Sequence, residues 1–345
     1  MTEVQLTQFS SASGCGCKID AVRLKNILSI PDKGILPDKN LFVGNDNNED
    51  AAAYFIDDQN LLLSTIDFFT PVVDDAYEFG FIAAANAMSD IFAMGGTPVF
   101  ALSVLGWPLK DLSDEVARRV VSGATDACAS VNIRIAGGHS IENREPVFGL
   151  SVNGLVKRNH IKLNKGARPG DLIFLTKPLG AGILTTAIKR KIILENDYKI
   201  LLKSLKRINT IGADFGKING INAMTDVTGF GFAGHLIEVC KGSGVTARLF
   251  ADKLPRLLDL QPYIDKESLP GGLHKNWKNY SGEISPDLHA HREMLADPQT
   301  NGGLLVAVAP SAVQETTRVM QDYGIPFIEP VGEMAKKGEN GYCLF

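Results

Sequence analysis

Cysteine is scarce in this chain. Its 345 residues include five cysteines, at positions 15, 17, 128, 240 and 343. So small and odd a set is not the framework of a disulfide-stabilised secreted protein, and the N-terminus lacks the charged and then apolar pattern of a signal peptide. We therefore expect a cytoplasmic protein with reduced thiols.

Long apolar runs and an excess of basic charge are also missing. Stretches such as Phe79 to Met88 are far shorter than the roughly 20 residues that cross a bilayer, so no membrane partner is expected. The net charge is -4, divided into -10 for residues 1–155 and +6 for the remainder. No basic face dominates the whole chain, which argues against a nucleic-acid partner.

The length and a hydrophobic content of 45% are typical of a soluble chain of two domains. Apolar periodicity predicts mixed helices and strands, which favours an α/β or α+β fold. We expect a leader over residues 1–18, an N-terminal domain over 19–156 and a C-terminal domain over 157–345. The predicted helices cover residues 21–28, 76–94, 113–131, 182–191, 198–215 and 232–240, and the predicted strands cover 61–66, 99–105, 133–136, 147–156, 172–175 and 304–308.

The leader combines small, polar residues with two close thiols. It has too few apolar side chains to pack against the rest of the protein, so we expect it to be mobile when nothing is bound. Cys15 and Cys17 are too few for a zinc site and too close for an unstrained disulfide. The adjacent Lys18 favours a thiolate, that is, a nucleophile or a soft ligand. The alternative is an incidental cysteine pair.

Four aspartates stand among small or apolar residues: Asp50, Asp67, Asp90 and Asp226. A carboxylate in such a setting is costly unless it is paired or coordinated. For any one of them a helix cap or a buried ion pair is a sufficient explanation. Asp50, Asp67 and Asp90 together favour Mg²⁺ bound with substrate phosphates.

Two glycine-rich segments are candidate phosphate sites. Gly137-Gly138-His139-Ser140 follows a short predicted strand and is either a phosphate-binding turn or an ordinary one. Residues 229–234 match G-x-G-x-x-G, but no clear apolar strand precedes them, so we interpret the match as accidental. Lys177 is either a phosphate contact or a surface lysine at a strand end, and we expect the surface position.

A series of motifs occurs in one order along the chain: GCGCK at 14–18, NNEDAAAY at 47–54, STIDFF at 64–69, NAMSDIFAMGG at 86–96, AGGHSI at 136–141, TKPLG at 176–180, TDVTGFG at 225–231 and DPQTNGG at 297–303. In these motifs the chain resembles the selenide, water dikinases, or selenophosphate synthetases. That family lies in the superfamily of aminoimidazole ribonucleotide synthetase.

The resemblance implies conversion of ATP, selenide and water to selenophosphate, AMP and orthophosphate. It assigns catalysis to Cys15 and Lys18 and the Mg²⁺ ligands to Asp50, Asp90 and Asp226. The ATP contacts that it implies are Lys18, Asn47, Asn48, Glu49, Asp67, Asp90, Gly138, His139 and Ser140.

The resemblance also implies an α+β homodimer. The N-terminal sheets of two chains would build a β-barrel together, each followed by an α+β sandwich domain. Potassium and a selenium-delivery protein are further implied partners, without residues to place them on. Two departures stand out: Ser11 where many relatives have histidine, and Asn301 where many have serine. The alternatives are a superfamily ligase that forms ADP and a non-catalytic selenium or thiol carrier.

Overall fold

A computed structural model describes residues 4–10, 14, 21–28, 38–44, 49–338 and 341–345. The first sheet is built from β1 (Leu41–Val43), β2 (Ala52–Phe55), β3 (Asn60–Phe69), β4 (Thr97–Trp107), β5 (Ile135–Glu142) and β6 (Val147–Lys157). In space their order is β1-β2-β3-β6-β4-β5. All neighbouring strands are antiparallel except β4 and β5, which are parallel.

Two long helices stand on one side of this sheet. Helix α2 (Ala76–Ala93) packs on β3 and β6, and α3 (Asp114–Ser130) packs closely against α2. Their close approach requires glycine, since a Cβ on Gly80 would lie 1.8 Å from the Val120 carbonyl oxygen and one on Gly123 would lie 1.9 Å from that of Tyr77. Helix α2 is therefore held firmly between the sheet and α3.

The opposite face of the first sheet is apolar and exposed. Register places alternate residues of each strand on this face. We call it the open sheet face and define it by Tyr54, Ile66, Phe68, Phe100, Leu102, Ile141 and Leu155. Each of these side chains is at least 37% exposed, and Ile141 reaches 59%. An apolar face of this extent is typical of an interaction surface.

The second sheet has helices on both faces. Its strands are β7 (Leu172–Leu175), β8 (Ile221–Asp226), β9 (Val245–Leu249), β10 (Leu304–Val308) and β11 (Gly332–Lys336), in the antiparallel order β8-β10-β7-β11-β9. Every residue of β10 is buried. The remaining described helices are α1 (Ala21–Leu28), α4 (Ala181–Lys189), α5 (Glu195–Lys206), α6 (Ile211–Gly216), α7 (Gly231–Ser243), α8 (Gln261–Ile264), α9 (Gly271–Tyr280), α10 (Arg292–Ala296) and α11 (Val313–Asp322).

The mixed α+β architecture confirms the predicted class, and the helix over 21–28 and the strands over 172–175 and 304–308 have the predicted bounds. The prediction of one continuous helix over residues 198–215 is wrong, because the chain leaves helical geometry between α5 and α6. The glycine segment 137–140 is not a turn, since it lies inside β5.

A further correction concerns the G-x-G-x-x-G match at 229–234. A strand, β8, does precede it, and α7 begins inside it, at Gly231. The polar residues that hid this strand are buried and hydrogen-bonded, as in Thr225 and Asp226. Among the described residues, no helix combines the length and the apolarity that a bilayer crossing demands.

Candidate active site

One face of α2 carries the polar groups of the site. Asn86, Ser89 and Asp90 are three and four residues apart, so they project from the same side of the helix. Asn86 and Ser89 are completely buried. Asp75 caps the N-terminus of α2, because its Oδ1 atom accepts a hydrogen bond of 2.9 Å from the backbone N of Glu78.

The structure brings together the three aspartates predicted to bind metal. One oxygen from each of Asp50, Asp90 and Asp226 lies within 4.8 Å of the others. They come from three elements: Asp50 precedes β2, Asp90 lies in α2 and Asp226 ends β8. The first two belong to the half with the six-stranded sheet and the third to the other half. The cluster therefore depends on how the halves pack.

Each of these carboxylates accepts a hydrogen bond from one hydroxyl. Thr225 Oγ1 donates to Asp50 at 2.8 Å, Thr65 Oγ1 donates to Asp90 at 2.6 Å, and Ser89 Oγ donates to Asp226 at 2.5 Å. The Oδ2 atom of Asp50 is buried and has no hydrogen-bond partner within the described ranges. Converging carboxylates with a spare oxygen fit a hard divalent cation such as Mg²⁺.

Electrostatics strain this cluster in the absence of a cation. Burial raises the pKa of the Asp50 carboxyl well above its usual value, and the charges of Asp226 and Asp90 raise it further. The hydrogen bond from Thr225 opposes this shift. The three charges are thus held at a separation where they repel one another, and a cation would relieve that repulsion.

Asp67 is linked to the same face of α2. Asn86 Nδ2 donates to Asp67 Oδ2 at 2.8 Å, and Asn86 Oδ1 accepts from the backbone N of Asn301 at 2.7 Å. Because a backbone N–H can only donate, the amide orientation of Asn86 is determined. Asp67 therefore lies two residues from Thr65 on β3, and its Oδ2 atom accepts a hydrogen bond from Asn86.

Glu49 makes contacts with the segment after β6. Its Oε2 atom accepts a 2.8 Å hydrogen bond from the backbone N of Asn164, and its Oε1 atom lies 3.7 Å from Lys165 Nζ. Burial raises the pKa of Glu49, while Asn164 and Lys165 oppose the shift. A nucleotide contact by Glu49 stays a prediction.

The residues Gly138, His139 and Ser140 lie on the edge strand β5. Register aligns Asp67 with Leu150, then Ser103, then Gly138, so three strand spacings, about 14 Å, separate Gly138 from Asp67. His139 pairs with Val104 and lies on the open sheet face, opposite to Asp67. One chain therefore does not bring His139 to the carboxylates.

The predicted leader is described in part. Thr7 Oγ1 donates to Asp74 Oδ1 at 2.5 Å, and Lys189 Nζ donates to the Ser10 carbonyl at 2.7 Å. Gly14 donates to the Thr70 carbonyl at 3.1 Å, and a Cβ on it would lie 2.6 Å from Thr300 Oγ1. The predicted residues Cys15, Lys18, Asn47 and Asn48 lie outside the described residues.

Lys177 departs from the position that its sequence context predicts. It is 2% exposed, and its Nζ atom donates to the carbonyls of Arg207 at 2.6 Å and Asn301 at 2.7 Å. Burial lowers its pKa well below the usual value, as does the charge of Arg207, while Asp226 opposes the shift. The surface prediction is therefore wrong.

The DPQTNGG motif at 297–303 forms a buried loop between the halves. Asp297 Oδ2 accepts from the backbone N of Gly182 at 2.9 Å, and Gln299 Oε1 accepts from that of Ala181 at 3.1 Å, which covers the start of α4. Sequence reasoning did not assign these residues, nor Asn209, Asn86 and Ser89. For Asn86, Ser89 and the 297–303 loop the signal was polar side chains within apolar or glycine-rich motifs, whereas the sequence around Asn209 carries no such signal.

Comparison with known proteins places this architecture in a class. Residues 48–156 match the model of the AIR synthase related protein, N-terminal domain, and residues 168–342 match that of the AIR synthase related protein, C-terminal domain. Two solved structures share the fold. They are thiamine-monophosphate kinase from Stenotrophomonas maltophilia (TM-score 0.64, 18% identity, 93% of this chain and 95% of that one) and hydrogenase maturation protein HypE in complex with ATP (0.64, 15%, 97% and 90%).

Sequence comparison is more specific. The chain is 46% identical, over 97% of its length and 96% of the relative's, to the protein of Photorhabdus laumondii subsp. laumondii named selenide, water dikinase. A protein of the same name from a Shewanella strain is 48% identical over 90% of this chain and 88% of its own. The chain belongs to the selenide, water dikinase family.

Proposed function

We propose that this enzyme makes selenophosphate from ATP, selenide and water and releases AMP and orthophosphate. The observation that carries the proposal is 46% identity, over 97% of the chain, to a protein named selenide, water dikinase. The enzyme is thus a phosphotransferase with two acceptors, selenide and water.

We propose Asp50, Asp90 and Asp226 as the Mg²⁺ ligands. Their convergence within 4.8 Å and the spare Oδ2 atom of Asp50 support this assignment. When bound, the ion neutralises charge on the phosphate oxygens during transfer. The protein's own contribution is to keep the three carboxylates converged through the hydroxyls of Thr65, Ser89 and Thr225.

The proposed ATP site is built around the same cluster. Asp67 and Asp90 support it by their position beside Thr65. A protein of the same fold, HypE, has been solved in complex with ATP. The further contacts in this proposal are Lys18, Asn47, Asn48, Glu49, Gly138, His139 and Ser140.

In the proposed mechanism the leader closes over bound ATP. Lys18 meets the phosphates and Cys15 delivers or orients selenide at the γ-phosphorus. Closure excludes water until the second, hydrolytic step. Support comes from Gly14, the residue before Cys15, which lies against Thr70 just beyond β3 and against Thr300.

We further propose a cytoplasmic homodimer whose N-terminal sheets close a β-barrel. The open sheet face supports this, because a second copy would cover it with the same apolar side chains. The distance of His139 from Asp67 is then explained if the β5 edge of one chain serves the site of the other. Potassium and a selenium-delivery protein complete the proposed set of partners.

Phosphorus NMR of the protein with ATP, Mg²⁺ and selenide tests the function. We expect AMP, orthophosphate and a phosphorus signal coupled to selenium in equal amounts. ADP as the sole nucleotide product would instead indicate a superfamily ligase, and no turnover would indicate a carrier.

Two cysteine variants refine that experiment. Cys15→Ser should lose selenide-dependent turnover. Cys343→Ser should keep it, since Cys343 lies in the C-terminal half and its Sγ atom donates a hydrogen bond to Glu283. Full turnover by Cys15→Ser would remove Cys15 from the mechanism.

A further inference from the structure

The segment between α5 and α6 sends one side chain across the boundary between the halves. Asn209 is 2% exposed, and its Nδ2 atom donates to Ser89 Oγ of α2 and to the Gly302 carbonyl, both at 2.8 Å. Ser89 Oγ in turn donates to Asp226 Oδ2 at 2.5 Å. The three side chains thus form a relay that ends on a proposed metal ligand.

The direction of this relay is fixed by chemistry. The Gly302 carbonyl can only accept, so the amide NH₂ of Asn209 must face it, and its second hydrogen points at Ser89. A hydroxyl that accepts at its oxygen still has its own hydrogen to give. That hydrogen goes to Asp226, whose carboxylate is acceptor-only when ionised.

Without Asn209, the Ser89 hydroxyl could donate its hydrogen bond to a different acceptor. A serine inside a helix commonly turns its hydroxyl to the carbonyl four residues earlier. Donation from Asn209 occupies a lone pair of Ser89 Oγ and favours the rotamer that serves Asp226. The interruption of the predicted helix over 198–215 is what frees Asn209 to do this.

We propose that Asn209 is a positioning residue that acts through Ser89 to hold Asp226 in the geometry that binds a divalent cation. This inference rests on the metal site of the proposed function. Asn209 itself is not a ligand in this scheme. Outer hydrogen bonds of this kind commonly change metal affinity by roughly 10- to 100-fold when removed.

The test measures binding of Mn²⁺ alone, by electron paramagnetic resonance of the free ion, with full-length protein and no ATP or selenide. Asn209→Ala and Asn209→Asp should each bind Mn²⁺ at least about 10-fold more weakly than wild type. Asn209→Asp is the sharper variant, because it keeps the shape but offers Ser89 a competing acceptor.

A double-mutant cycle separates positioning from general stability. In the Ser89→Ala background, Asn209→Ala should cause no further loss of Mn²⁺ affinity, because the relay is already cut. Ser268→Ala is the matched control. Ser268 is a fully buried serine that donates to the Ile183 carbonyl, so its loss should leave Mn²⁺ affinity unchanged.

The outcomes are distinct. Wild type that binds no Mn²⁺ overturns the proposed metal site and the relay together. Wild type that binds Mn²⁺ while folded Asn209→Ala and Asn209→Asp bind it equally well overturns the relay alone, as does an additive cycle. Far-ultraviolet circular dichroism identifies folded variants. If neither Asn209 variant folds, the Ser89→Ala single variant decides: weaker Mn²⁺ binding supports the relay, and unchanged binding overturns it.

Discussion

A buried lysine shows how single residues set the stability of this chain. Lys162 is 7% exposed, and its Nζ atom donates to the carbonyls of Ile218 at 2.8 Å and Ile221 at 3.1 Å. Burial lowers the pKa of Lys162 to about 8. The ammonium form is thus disfavoured by folding.

This predicts a pH-dependent stability. Below pH 8 Lys162 is protonated in both states, so the cost of burying it is constant. Between pH 8 and about 10.5 the unfolded chain binds the proton more tightly, and the free energy of unfolding should rise by up to about 1.4 kcal/mol per pH unit. The contribution is isolated by measuring the free energy of unfolding in urea for wild type and for Lys162→Met at pH 7 and pH 9.5, and comparing the difference between the two proteins at each pH.

Lys217→Met is the control for that measurement. The Lys217 side chain is 62% exposed and pairs with Asp214 at the surface. The stability difference for this variant should stay flat over the same pH range. A Lys162→Met difference that is equally flat contradicts the burial argument.

Asn301 illustrates how a buried loop accommodates a left-handed backbone conformation. Its φ of 47° lies in the left-handed region, which asparagine tolerates better than most residues. Its Nδ2 atom donates to the carbonyls of Leu205 at 2.6 Å and Arg207 at 3.0 Å. The side chain therefore ties the 297–303 loop to the end of α5.

At the scale of elements, the α2–α3 crossing is the most constrained feature. Gly80 and Gly123 each face a backbone carbonyl of the other helix. Gly80→Ala gains up to about 1 kcal/mol of helix propensity, but its Cβ forces the helices apart. We expect a net loss of about 1–3 kcal/mol in the free energy of unfolding, measured by denaturant titration.

Gly271→Ala provides the comparison. Gly271 begins α9, and among the described residues no atom beyond its own chain neighbours and helix backbone lies within 4 Å of the Cβ it would acquire. That variant should be neutral or more stable by less than about 1 kcal/mol. Equal effects at the two positions would mean that the crossing is not tightly packed.

The elements also show what the sequence could predict. Helix α2 and strands β7 and β10 follow from local apolar patterns, and they appear as expected. Strand β8 was missed because Thr225 and Asp226 look like interruptions. Their partners are Asp50 and Ser89, far away in the chain, and periodicity within a window cannot register them.

The candidate site also contains residues that the sequence predicted and residues that it did not. The aspartates stood out because carboxylates are unusual among small apolar residues, and three of them do converge. Lys177 and Asn209 did not stand out, because their roles depend on carbonyls and hydroxyls of other segments. The break between α5 and α6 was missed for that reason too, since propensity alone favours one helix through residues 198–215.

At the scale of the whole molecule, the open sheet face predicts association. Light scattering should give wild type the mass of a dimer, because in a monomer the seven apolar side chains of this face are exposed to water. Leu102→Lys places a charge on that face and should shift the mass toward the monomer. Leu194→Lys, at a site 64% exposed before α5, should remain dimeric; a monomeric wild type would contradict the proposal.

Mixing two inactive chains tests the sharing of sites. His139→Ala and Asp226→Asn homodimers should each have little activity. If β5 of one chain serves the site of its partner, mixed dimers contain one intact site, and the refolded mixture should regain about a quarter of wild-type activity. No recovery would mean that His139 acts within its own chain, and an active His139→Ala would remove it from the site.

The division of the three carboxylates between the halves has a consequence for the folding cooperativity of the chain. A cation held by Asp50, Asp90 and Asp226 is lost when either half unfolds or when the halves separate. Its binding free energy therefore becomes a coupling energy between the two halves. A divalent cation bound at the proposed site would thus couple the halves thermodynamically, and in its presence the two halves should unfold as one unit.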